Sequence, residues 1–147
     1  MASKDQVFDS PRDWVKSHIQ EYVESDGEKG HDWKGFPTLL LTTRGRKSGK
    51  LRRTALIYGR DGNNYLIVAS HGGAPHHPYW YLNLVANPAV ELQVRADKFA
   101  GKARTATSKE KPRLWKLMSR VYPPYDEYQE RAAKAGREIP LVIVETV

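Results

Sequence analysis

The sequence predicts an α+β fold in which a mostly antiparallel barrel of about six or seven strands carries about three or four peripheral helices. Three observations support that expectation. β-compatible apolar segments outnumber helical ones along the 147 residues. Few of these segments are joined by the long crossovers that a parallel sheet needs. The clearest periodic run sets Val90, Leu92 and Val94 against Glu91, Gln93 and Arg95, which is the period of a half-buried strand.

The first element is a helix from about Pro11 to Ser25. Ser10 suits the N-cap, Pro11 the first helical position and Asp13 the first turn. Val15, Ile19, Tyr22 and Val23 form its apolar stripe, flanked by Trp14, and Ser25-Asp26-Gly27 ends it. Glu28 to Pro37 reads as a loop that packs partly through Trp33 and Phe36. Strands follow over Thr38–Thr43, Leu51–Tyr58 and Asn64–Ser70. The second and third are joined by the hairpin chemistry of Arg60-Asp61-Gly62-Asn63. His71 to Pro75 breaks the third strand, and a short helix spans Pro78–Ala86 before Asn87-Pro88. Ala89–Ala96 and Phe99–Ala106 pair as strands. Ser108 caps a helix to Val121 that buries Leu114, Trp115, Leu117, Met118 and Val121. Pro123-Pro124 forces a break, a polar helix spans Tyr125–Ala135, and Ile139–Glu145 is the last strand.

The length suits one domain, residues 1–147, with an N-terminal helix and loop over 1–36 and the barrel core over 37–147. The chain can bury roughly two-thirds of its unfolded surface, so a packed core needs no staples. Cysteine is absent, which excludes disulfides, thiolate metal sites and thiol nucleophiles. The opening residues hold no apolar signal segment, and no window approaches the roughly 20 apolar residues of a membrane span, so the expected location is the cytoplasm. A net charge of +7 suits an anionic partner. Charge alone leaves nucleic acid, an acidic membrane face and a polyanionic cofactor open.

The most informative local feature is the basic loop. Six Lys or Arg residues lie between Arg44 and Arg53, with Gly45, Ser48 and Gly49 among them. Glycines let backbone N–H groups turn toward an anion, and arginine forks bind phosphate or carboxylate bidentately. It is not a phosphate loop of the Walker type: the spacing is one residue short and Leu51 stands where Ser or Thr belongs. A solvated basic hairpin is the competing reading. Ser70-His71-Gly72-Gly73 closes a strand with a hydroxyl, an imidazole and two flexible residues, which suits either a planar ligand or an ordinary turn. His76-His77 lacks the spacing and the nearby carboxylates of a metal site, and no metal is expected. Tyr79-Trp80-Tyr81 and the set Tyr122, Tyr125, Tyr128 are aromatic clusters, a type that more often fills cores than lines sites. Neither a nucleophile elbow, nor a catalytic triad, nor a dinucleotide fingerprint is present. The chain is short of groups able to do hard chemistry alone, which favours a cofactor.

Taken together, several motifs in collinear order resemble the deazaflavin-dependent nitroreductase family, the A branch of the split β-barrel F420-dependent oxidoreductases. They are Leu39 to Gly49, Val68 to Ala74, His77 to Leu84, Ala86-Asn87-Pro88, Tyr122-Pro123 with Tyr125 and Tyr128, and Ile139 to Val142. The likeness covers roughly residues 37 to 146. It implies an FMN-binding split-barrel-like fold and an oxidoreductase of nitroreductase or quinone reductase type. Such an enzyme passes a hydride from reduced coenzyme F420, an 8-hydroxy-5-deazaflavin, to a small acceptor such as a quinone, nitroaromatic or activated alkene. By the same resemblance, Arg46, Lys47, Ser48 and Gly49 hold the cofactor's phosphodiester and oligoglutamate tail, with Arg52 assisting. Ser70, His71, Gly72, Gly73 and Trp80 lie against the ring. Tyr122, Tyr125 and Tyr128, with Ser70, border the reacting acceptor. Two positions depart from the family pattern: members can carry lysine at position 71, here His71, and tyrosine at position 57, here Ile57. A membrane quinone as acceptor would place the protein at the inner face of the membrane. The rivals are an FMN enzyme of the same barrel, whose single phosphate suits the loop less well than a long tail, and a basic nucleic-acid module. No stacking motif accompanies the charge in support of the second, and nucleic acid is not the expected partner.

Overall fold

The structure, a computed structural model, describes residues 6–10 and 13–147. Its elements run β1 (Val7–Asp9), α1 (Asp13–Glu24), β2 (Asp32–Trp33), β3 (Phe36–Arg44), β4 (Leu51–Ile57), β5 (Gly59–Asp61), β6 (Asn64–Val68), a 3-10 turn (His71–Gly73), α2 (Tyr79–Ala86), β7 (Ala89–Val94), β8 (Asp97–Thr105), α3 (Lys111–Val121), α4 (Tyr125–Lys134) and β9 (Leu141–Thr146). The strands follow the order β1-β4-β3-β7-β8-β9-β6-β5, with β2 added on β3. Pairing is antiparallel throughout the described residues except for β1 on β4. β4 and β6 touch without pairing, so the sheet curls into a split barrel with an unbonded seam.

Both faces of the central strands are covered, which is why β3 reads as a continuous apolar run and not as an alternation. Leu39 and Leu41 point into the barrel with Tyr65, Ile67, Leu92, Val142 and Val144. Leu40, between them, points outward and packs under Val15, Ile19 and Tyr22 of α1. A second apolar layer lies on the outer side of β6 and β9, where Leu66, Val68, Leu141 and Ile143 meet Leu114 and Met118 of α3 and Tyr125 and Ala132 of α4. Each fully buried side chain of this kind contributes about 1.5–3 kcal/mol. Among the described residues, no helix is long and apolar enough to cross a membrane.

Four details differ from the expectation. Among the described residues nine strands stand in place of six or seven, because β1, β2 and β5 are too short to show a period. The expected Leu51–Tyr58 strand ends at Ile57: Tyr58 donates its N–H to the Pro37 carbonyl, and the chain turns into β5 to meet β6. Gln93, expected on a solvent face, is buried at 6% exposure, because α1 covers that face. The cap before α3 is not Ser108. Thr107 Oγ1 accepts from Glu110 N at 3.2 Å and Glu110 Oε1 accepts from Thr107 N at 2.9 Å, a reciprocal box that Arg104 completes on the same carboxylate. The Pro11 start expected for α1 lies outside the described residues. Its end is as expected: Gly27 N–H bonds back to the Tyr22 carbonyl at 2.8 Å, and the φ of +80° there needs glycine.

Candidate active site

The β3–β4 hairpin carries the basic loop at its tip. Gly45 N–H donates to Lys50 O at 2.7 Å and Gly49 N–H to Gly45 O at 2.9 Å, while Arg44 Nη1 closes on Gly49 O at 2.8 Å. The loop is therefore a hydrogen-bonded turn, closed further by the Ser48 hydroxyl, which accepts from Lys50 N at 3.2 Å. Arg46 and Lys47 are exposed and meet no carboxylate among the described residues. Asn83 of α2 fixes the loop from behind, its Oδ1 accepting from Arg46 N at 3.1 Å.

From this tip a cleft of about 920 Å³ follows β4 along the split seam. Gly45 to Ser48 and Arg52 line it where the loop joins the strand, then Thr54, Ala55 and Leu56, with Val68, the Ser70–Gly72 turn, Ala74 and Trp80. Arg52 to Leu56 spans about 13 Å at the strand rise of 3.3 Å per residue, so the lining changes from cationic to apolar over that length. Asp9 also lines the cleft and forks Arg53 at 2.6 and 3.2 Å, so that guanidinium is neutralised while Arg46 and Lys47 are not.

The Ser70–Ala74 turn is unusual in its backbone. His71, Gly72 and Gly73 have φ of 49°, 62° and 79°, three successive residues in the left-handed region. For His71 that conformation is strained. Gly73 has a second reason to be glycine: a Cβ there would stand 2.6 Å from the Tyr128 carbonyl of α4. Arg131 Nη1 donates to Gly72 O at 2.8 Å, and Arg137 donates to the carbonyls of Ala69, Ser70 and Ala74. Arg137 Nε also donates to His77 Nδ1 at 2.9 Å, so His77 is engaged by an arginine. Burial first, and the neighbouring Arg137 charge second, hold the His77 imidazole below its ordinary range.

Of the residues singled out in the sequence, Arg46, Lys47, Ser48, Arg52, Ser70, His71, Gly72 and Trp80 line this one cleft. Gly49 and Gly73 do not line it but shape the two turns that do. The tyrosines form a separate cluster. Tyr125 is buried at 5% exposure in the layer under α3. Tyr122 and Tyr128 meet phenol to phenol at 3.3 Å, and Phe36 packs edge-on against Tyr122. None of the three lines the cleft, although the Tyr128 backbone abuts Gly73. Burial, then the bond to Tyr128, pushes the Tyr122 phenol above its ordinary range. Asn83 and Arg137 were missed by sequence reasoning. The only available signals were an amide inside the apolar helix Tyr79–Ala86 and a charged residue two positions before the apolar run Ile139–Val144.

A model of the F420H(2)-dependent quinone reductase family matches residues 14–146. Over 134 residues the chain is 40% identical to an F420H(2)-dependent quinone reductase of Mycobacterium tuberculosis, covering 88% of each sequence. Among solved structures it is similar to an F420-H2 dependent reductase, FDR-A, with 43% identity and a TM-score of 0.67 over 74% of this chain and 94% of that one. A second solved structure, described as a domain-swapped dimer, is 40% identical with a TM-score of 0.70, covering 92% of this chain and 100% of that one.

Proposed function

Because the chain belongs to the F420H(2)-dependent quinone reductase family, we propose that it binds reduced coenzyme F420 in the cleft along β4 and passes hydride to a quinone, or to a related nitroaromatic or activated alkene. The observation that supports this best is the polarity of the cleft. Arg46 and Lys47, which meet no carboxylate among the described residues, stand where it begins, and Leu56, Val68 and Trp80 line it beyond. That gradient fits a ligand with a planar ring and a flexible anionic tail, and the volume of about 920 Å³ accommodates one. A single phosphate would leave most of the cations unused.

When bound, the reduced deazaflavin supplies the hydride. The chain's own work is binding, alignment and exclusion of water. Arg46, Lys47 and Arg52 hold the tail, and Ser48 and Gly49 shape the loop that presents them. Trp80 and the Ser70–Gly73 turn would hold the ring, and the Ser70 hydroxyl offers it a hydrogen bond. Tyr122 and Tyr128 stand behind the turn and outside the cleft, and would meet the acceptor only where it extends past the ring. The Tyr122 phenol is protonated at neutral pH, as an ordinary tyrosine is, and would donate to an acceptor oxygen as charge develops there; burial and the bond to Tyr128 make it a weaker acid than a free phenol. Tyr125, being buried, supports the other two from behind. The activity is assigned to the cytoplasm, at the inner face of the membrane where the acceptor is a membrane quinone.

Titration with F420 and with FMN, followed by quenching of tryptophan fluorescence, tests the reading. F420 is expected to bind in the nanomolar to micromolar range and FMN far more weakly, and the loaded protein is expected to oxidise reduced F420 on addition of a quinone. FMN binding as tight as F420 binding would overturn it.

A further inference from the structure

Arg137 is a buried cation, 7% exposed, with no carboxylate partner among the described residues. Burying such a charge is costly unless every donor is used. Here four of the five N–H donors of the fork are used. Nη1 donates to Ser70 O at 3.0 Å and Ala74 O at 2.8 Å, Nη2 donates to Ala69 O, and Nε donates to His77 Nδ1 at 2.9 Å. The first three acceptors belong to the left-handed turn and the residue that leads into it. The fourth belongs to the residue before Pro78, which caps α2, and Trp80 follows within the first turn of that helix. Arg137 itself does not line the cleft. It stands behind both segments that do.

We propose that Arg137 is the positioning residue of the cofactor's ring: its guanidinium ties the Ser70–Ala74 turn to the start of α2 and so sets the spacing between the two walls that receive the deazaflavin. This rests on the F420 reading above. The physical reason for an arginine is its shape. The planar fork reaches the carbonyls of residues 69–74 on one side and the His77 ring nitrogen on the other at once, which a lysine ammonium cannot do from one point. The left-handed run at His71, Gly72 and Gly73 needs an external restraint to persist, since a non-glycine residue leaves that region when free to do so. Arg131, bound to Gly72 O at 2.8 Å, restrains the same turn from α4. Both arginines thus donate to the backbone of the turn that lines the cleft.

The test uses the full chain and its Arg137→Lys and Arg137→Gln variants. Two probes are titrated: F420, and the deazaflavin chromophore with its ribityl chain but without the anionic tail. Amide hydrogen exchange at residues 69–78 is followed without ligand. Loss of charge-assisted bonds corresponds to about a tenfold or larger weakening, so tail-less chromophore binding should fall by at least about that factor in Arg137→Gln. The salt dependence of F420 binding, which reports the tail, should stay as in the wild type. Exchange should accelerate at Ser70–Ala74 and at His77 but not in β7 or β8. Arg137→Lys keeps the buried charge and should fold, yet show the same local exchange and a smaller loss for the chromophore. A purely structural role predicts something different: a lower melting temperature with unchanged chromophore affinity in the folded protein. Wild-type affinity in both variants overturns the proposal while leaving the F420 reading intact. Failure of the wild type to bind either probe overturns the F420 reading, and this proposal with it.

Discussion

Asn83 and Arg46 are joined side chain to backbone: the Asn83 carboxamide oxygen accepts the Arg46 N–H at 3.1 Å, and its nitrogen donates to Thr43 Oγ1 at 3.2 Å. A buried amide of α2 therefore holds the tip of the β3–β4 hairpin in place. Asn83→Leu removes both bonds and strands the Arg46 N–H against an apolar group. The expected cost is about 1–3 kcal/mol, seen as a melting point lower by about 2–4 °C per kcal/mol. F420 affinity should fall with it, because the loop loses its anchor. A Leu variant with wild-type affinity and melting point would show that the loop holds itself.

Arg46 and Lys47 point away from the fold and should matter to binding alone. Replacing both with alanine is expected to weaken F420 binding by roughly 1–3 kcal/mol while leaving the melting temperature unchanged. The wild-type dissociation constant should rise with salt, since exposed charges are screened over about 10 Å at 0.1 M. The double variant should have a flatter salt dependence. Equal slopes in the two proteins would place the tail elsewhere.

His77 links stability to pH. Burial and Arg137 lower its folded pKa, whereas the unfolded imidazole titrates near about 6.5. The unfolded chain therefore takes up the proton first. This contribution to stability is complete above about pH 6.5 and is lost as the pH falls through the folded value. His31, lowered by burial and then by Arg95, acts in the same sense. The difference between wild type and His77→Gln isolates the His77 part. Denaturant midpoints measured from pH 8 to 5 should fall more steeply in the wild type, and parallel curves would refute the assignment.

The tyrosines divide into two kinds. Tyr125→Ala should cost about 3–5 kcal/mol, as expected for truncating a buried aromatic. Tyr122→Phe and Tyr128→Phe lose only their mutual 3.3 Å bond and should cost about 1 kcal/mol or less. If Tyr122 donates to the acceptor, Tyr122→Phe should slow quinone reduction by on the order of a hundredfold with F420 affinity unchanged. Wild-type turnover of a quinone and a nitroaromatic by both Phe variants would make the cluster structural.

The sequence by itself determined the strand-and-helix grammar. Leu39 to Leu41, Leu66 to Val68 and Leu141 to Val144 announce strands because each is an unbroken apolar run within a short β-compatible segment. The basic loop was equally legible, because charge and glycine spacing are local properties. Tertiary structure alone decided which groups would be paired. Arg53 and Arg46 look alike in the chain, yet β1 brings Asp9 onto the first, while the second meets no carboxylate among the described residues. Only packing could turn Tyr125 inward while Tyr122 and Tyr128 kept phenols in contact, since the break at Pro123-Pro124 hides their helical phase. Arg137 is the extreme case. Its partners lie 60 to 68 residues away, and no periodicity spans that distance. A hydrogen bond between segments so far apart in the chain exists only once the barrel has closed around it.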